Sequence, residues 1–133
     1  DQRHLDAGKL AAMWQDAQDA AKRAADEGGC TATFGDLWHI EPIPFHPELI
    51  DAAEASVREV SGTAHRLPSG PLHDAAEVAR SGVPTVMLFV QSLRGISHNK
   101  IEDTSEAHLA LSVEALDALT NRTIAWIQAQ PGA

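Results

Sequence analysis

A chain of 133 residues, 44% hydrophobic and 22% charged, can form one modest globular domain and is too apolar for intrinsic disorder. Its formal net charge of −9 excludes non-specific nucleic-acid binding, which needs a surplus of Lys and Arg to neutralise phosphates. No apolar stretch reaches the ~20 residues that span a bilayer, and the single cysteine, Cys30, excludes an internal disulfide.

That lone cysteine and the lack of a leader-like opening lead us to expect a cytoplasmic protein. The chain opens on Asp1 rather than Met, and "DQRH" reads like the end of a strand whose beginning is missing. The expectation is a piece of something larger.

Residues 7–27 read as an amphipathic helix, with Leu10, Met13, Trp14, Ala17, Ala21 and Ala24 on one face. Asp6 is the expected N-cap and Gly28-Gly29 the stop. "CTATFGDLWHI" (30–40) alternates and carries Thr, Phe and Trp, which predicts a strand. "EPIPFHP" (41–47) holds three prolines in seven residues, so it reads as an extended crossing between two structural units. Pro47 suits the first position of the next helix, whose apolar stripe is Leu49, Ala53, Val57 and Val60.

A short helix is expected from about Pro71 to Ser81, closed by Gly82. "VPTVMLFVQ" (83–91) is a continuous apolar run, which predicts a strand covered by helices on both faces. After the loop "SLRGISHNK", Asp103 and Glu106 resemble a capping box. The last helix is expected to run to about Ala129, with Leu109, Val113, Leu116, Thr120, Ile124 and Ile127 near one face. The fold class is therefore α/β. The strands are too few for a complete covered sheet, which again points to part of a larger domain.

Sites in open α/β sheets lie beyond the carboxyl ends of the strands, and "SLRGISHNK" is such an end. His98 there reads as a metal ligand, a proton shuttle or a plain loop cap, and spacing alone favours the cap. His73 sits in the first turn of its expected helix, where free N–H groups favour anions and can receive a developing oxyanion. A structural role is as well supported. For Asp74 the favoured reading is helix-start electrostatics. Arg3 is either solvated or a bidentate partner for a substrate carboxylate. His4, His39, His46, His65 and His108 show no metal-ligand spacing, and Trp14, Trp38 and Trp126 read as core or interface residues. A catalytic zinc needs about three protein ligands, so any metal held by His98 takes most of its site from elsewhere.

Three segments together resemble the amidase/hydantoinase/carbamoylase branch of the metal-dependent acylase and aminopeptidase superfamily: "DQRHLD", "LWHIEPIPF" and "LPSGPLHDAAEVARSGVPTVMLFVQSLRGISHNKIEDTSEAHL". The last is the most specific, with Ser-Gly-x-x-His-Asp-Ala, a buried strand and Gly-x-Ser-His in order. The resemblance covers the chain but only the carboxyl-terminal third or so of a family member. It implies that residues 1–41 are the last strand-helix-strand of an inserted lid and dimerisation domain. Residues 42–133 would then be the end of a catalytic α/β domain.

The resemblance further implies that His98 is the last metal ligand, that His73 stabilises the oxyanion, and that Arg3 binds the substrate carboxylate, usually across a homodimer. It implies a divalent metal (zinc, manganese, nickel or cobalt) whose other ligands lie outside these residues. The activity implied is hydrolysis of linear C–N bonds in N-carbamoyl amino acids or allantoate-like ureides. An acylase or dipeptidase, or a non-catalytic binding or dimerisation module, are the alternatives. The family commonly has Ser-Gly-Ala-Gly-His-Asp where this chain places Pro71-Leu72 before His73.

Overall fold

In the computed structural model, which describes residues 1–130, Asp6 opens α1 (Ala7–Glu27) by accepting from the Lys9 amide at 2.9 Å. The helix ends at Gly28, and Gly29 takes the left-handed φ of 65° that turns the chain away. Leu10, Met13, Trp14, Ala17 and Ala21 are half-buried while Ala24 is exposed, so the expected face packs only lightly. Against it lies Phe34, edge-on to Trp14 at 5.9 Å. Gln2 anchors the amino terminus by donating to the Met13 carbonyl at 2.9 Å.

The chain divides into two compact units, Asp1–Pro44 and Phe45 onward, with the boundary inside the proline-rich segment. The second unit is built on α2 (Pro47–Ser61), α3 (Asp74–Arg80) and α4 (Glu106–Gln128), with a 3₁₀ turn at Leu93–Gly95. Its core is the α2–α4 contact. Leu49, Ala53 and the fully buried Ser56 of α2 are buried, as are Ala115 and Leu119 of α4. Small side chains at three of these five positions suit a close helix crossing. Ser56 remains satisfied by donating to the Ala52 carbonyl at 2.9 Å. Toward the end of α4, Arg122 bridges to Glu59 at 2.6 Å, and the Trp126 indole donates to Glu48 while packing edge-on against His46.

Four expectations are corrected. Neither 30–40 nor 83–91 forms a strand, and no β-ladder exists among the described residues, which are helical or irregular. A strand is held by its neighbours' backbone groups. The run 83–91 has no neighbouring strand among the described residues; the His46 amide donates to the Thr85 carbonyl at 3.0 Å, and the Val83 amide donates back to the Val78 carbonyl of α3 at 3.3 Å. Nor is the run covered on both faces: Val83 is 50% and Phe89 52% exposed.

Second, α3 starts at Asp74 rather than Pro71. The Ser69 hydroxyl donates to the Pro71 carbonyl at 2.8 Å, occupying an oxygen that a helix begun there would offer to a later amide.

Third, α4 is capped by Ser105, whose hydroxyl accepts from the His108 amide at 3.2 Å. Asp103 is otherwise engaged. Its carboxylate accepts from Thr104 at 2.8 Å, and its carbonyl accepts from Leu93 at 2.7 Å. Replacing Ser105 by alanine is expected to cost about 1 kcal/mol of stability in chemical denaturation, while Asp103→Ala leaves the helix start intact.

Fourth, the apolar stripe read on α4 faces solvent: Val113 is 66%, Leu116 55% and Ile127 48% exposed. The helix is apolar on more than one side, and the side bearing Ala115 and Leu119 is the one that meets α2. Trp38, at 80% exposure, is likewise not a core residue.

Candidate functional site

His73 is the N-cap residue of α3, not a residue of its first turn, with φ −126° and ψ 156°. Its side chain makes no capping hydrogen bond, and the half-buried ring lies 6.3 Å from Phe89 in an edge arrangement. Phe89 belongs to the apolar run 83–91, so that segment borders the imidazole although it forms no strand. Asp74 follows as the first helical residue, where its charge complements the helix start.

His98 lies on the loop after the 3₁₀ turn, exposed and with a left-handed φ of 56°. Only Arg94 shares this conformation among the described non-glycine residues, at φ 61°. L residues adopt it at an energetic cost. The amide of His98 donates to a Glu102 carboxylate oxygen at 2.7 Å, while the Glu102 amide donates to the Asn99 carbonyl at 2.9 Å. His73 and His98 share no hydrogen bond or ring contact.

Arg3, in the first unit, is exposed and pairs with the Asp1 carboxylate through both Nε, at 3.0 and 3.2 Å, and Nη2. The guanidinium therefore presents the fork that suits a carboxylate.

No group of three or more His, Cys, Asp or Glu side chains among the described residues is arranged to hold a metal. His98 offers one exposed imidazole, fit to contribute a ligand and insufficient to form a centre. Sequence reasoning missed Glu102. The available signal was an acidic residue four positions after a histidine in a glycine-containing loop.

An open hollow of about 560 Å³ lies elsewhere, lined by Asp51, Glu54, Arg58, Glu59, Arg66 and Arg122. Its charges answer one another. Arg66 reaches Glu54 at 2.5 Å and Asp51 at 2.6 Å, and Arg58 reaches Glu54 at 2.6 Å. The Arg66 hydrogen bond, then that of Arg58, holds the Glu54 carboxyl below its ordinary range, and Glu54 in turn raises Arg66. A depressed carboxyl contributes stability above its unfolded pKa and loses it as the pH falls through the folded value. An NMR titration should place the Glu54 midpoint below that of a free glutamate. Arg66→Ala should move it up more than Arg58→Ala does.

The sequence comparisons identify this scaffold. A model of peptidase family M20/M25/M40 matches residues 5–122, a span that includes both His73 and His98. The chain belongs to this family. It is 34% identical to an allantoate amidohydrolase of Escherichia coli (strain K12) over 127 residues, 95% of the chain and 30% of that protein. It is 28% identical over 116 residues to an N-carbamoyl-L-amino-acid amidohydrolase of Rhizobium meliloti, covering 87% of the chain and 28% of that protein. An allantoate amidohydrolase of Bacillus subtilis (strain 168) is 36% identical over 91 residues, 68% of the chain and 22% of its own length. The chain thus spans less than a third of the curated relatives it matches. No solved structure matches. No helix among the described residues is long and apolar enough to cross a membrane.

Proposed function

We propose that this M20-family chain is the carboxyl-terminal part of a divalent-metal-dependent amidohydrolase that cleaves linear C–N bonds in allantoate-like ureides or N-carbamoyl amino acids. The observation that carries this reading is the similarity of nearly the whole chain to an enzyme named for allantoate, with a second relative named for N-carbamoyl-L-amino acids. His98 contributes one metal ligand from its loop, and the remaining ligands and the general base come from residues outside this chain. Its exposed position on the loop after the 3₁₀ turn supports this role. When bound, the metal supplies an activated water and polarises the scissile carbonyl.

The chain's own residues bind and orient. His73, free of capping bonds at the start of α3, hydrogen-bonds the substrate carbonyl and the oxyanion that develops from it. Arg3 exchanges Asp1 for the substrate carboxylate, in the neighbouring subunit's site of a homodimer. In this reading residues 1–41 end a lid and dimerisation domain, and residues 42–133 form the end of a catalytic domain.

The test joins this chain to the portion of the Escherichia coli relative that it does not cover. Ammonia release from allantoate and N-carbamoyl-L-amino acids, abolished by a chelator, is the expected result. Cleavage of N-acyl amino acids or dipeptides without ammonia release would instead establish an acylase or dipeptidase.

A further inference from the structure

We infer that Glu102 is a positioning residue for His98, fixing through the backbone the direction in which the imidazole is presented. The inference rests on the proposed role of His98 and adds a second residue to it. His98 holds a left-handed φ of 56° without the freedom of glycine, so something must outweigh the cost of that conformation. The Glu102 carboxylate does this. It accepts from the His98 amide at 2.7 Å, a short charge-assisted bond to the residue whose backbone is strained.

Glu102 is itself placed by its neighbours. Its own amide donates to the Asn99 carbonyl at 2.9 Å, and the Asn99 side chain accepts from the Ile101 amide at 3.2 Å. The loop base is closed by the Leu93 amide on the Asp103 carbonyl at 2.7 Å. The result is a turn tied at its base and at its tip. Among the described residues the polar tie to His98 runs through its main-chain amide and not through its ring. Partners that orient a ligating residue affect metal affinity although they never touch the metal.

Two variants separate positioning from coordination and from simple loop stability. Glu102→Gln keeps an oxygen acceptor for the amide, whereas Glu102→Ala removes it. In the isolated chain, amide hydrogen exchange of His98 should quicken in Glu102→Ala and stay near the parent value in Glu102→Gln. In the protein joined to the uncovered part of the Escherichia coli relative, Glu102→Ala should weaken Mn²⁺ binding by about 10–100-fold. Glu102→Gln should have little effect, and the metal-free melting temperature should hold in both.

Unchanged His98 exchange in Glu102→Ala overturns the inference by itself, as does unchanged Mn²⁺ affinity. An equal loss in both variants makes Glu102 a ligand, which also overturns it. His98→Ala in the same joined protein keeps the two claims apart. If His98→Ala leaves Mn²⁺ affinity intact, the ligand role fails; if it abolishes binding while Glu102→Ala does not, only the positioning role fails.

Discussion

Leu119→Ala is expected to destabilise the second unit by about 2–5 kcal/mol in urea denaturation, the range for truncating a buried leucine. Leu119 is 6% exposed on the side of α4 that meets α2, so truncating it leaves a void in the core of the second unit. Leu116→Ala, one turn away on the 55%-exposed side, should shift stability by about 0.5 kcal/mol or less. The pair is informative because hydropathy alone ranks Leu116 with the core stripe. Equal effects, or a larger one at Leu116, would mean that α4 packs through its other face.

His98→Ala has the second large expected effect. In the protein joined to the uncovered part of the Escherichia coli relative, it should lower metal affinity by about a hundredfold or more, beyond what loss of an orienting partner does. Chelator-sensitive ammonia release should fall with it. In the isolated chain the same substitution should leave stability nearly unchanged, because the ring is exposed and takes no part in the packing of α2 against α4. Metal content by elemental analysis and melting by circular dichroism check the two halves separately. A large stability loss in the isolated chain would identify His98 as a structural loop residue.

The helices were legible because their signals are local. Asp6, Pro47 and Gly28-Gly29 act within a turn of the helix end they set, and α1 and α2 follow them closely. The start of α4 was less legible, since Asp103 and Ser105 both offer side-chain oxygens; the Ser105 hydroxyl takes the His108 amide, while the Asp103 carboxylate takes the adjacent Thr104 amide. The inward face of α4 was not legible at all. A helix apolar on two sides gives periodicity no preference, and the choice fell to Ala115 and to the small residues Ala53 and Ser56 on α2.

The segment 83–91 shows the opposite limit. Its composition is that of a buried strand, but a strand needs a neighbour, and the described residues offer none. Its half-exposed valines and phenylalanine fit a chain that spans less than a third of its relatives' length. For the site, residue types and order were readable, while the N-cap placement of His73 and the strained backbone of His98 emerged only with the fold.

The most direct test of the account is metal stoichiometry by equilibrium dialysis against Mn²⁺, run on this chain alone and on the protein joined to the uncovered part of the Escherichia coli relative. The expected result is no stoichiometric binding by the chain alone, and stoichiometric binding by the joined protein that His98→Ala removes. Tight stoichiometric binding by the isolated chain, or binding by the joined protein that survives His98→Ala, would contradict it.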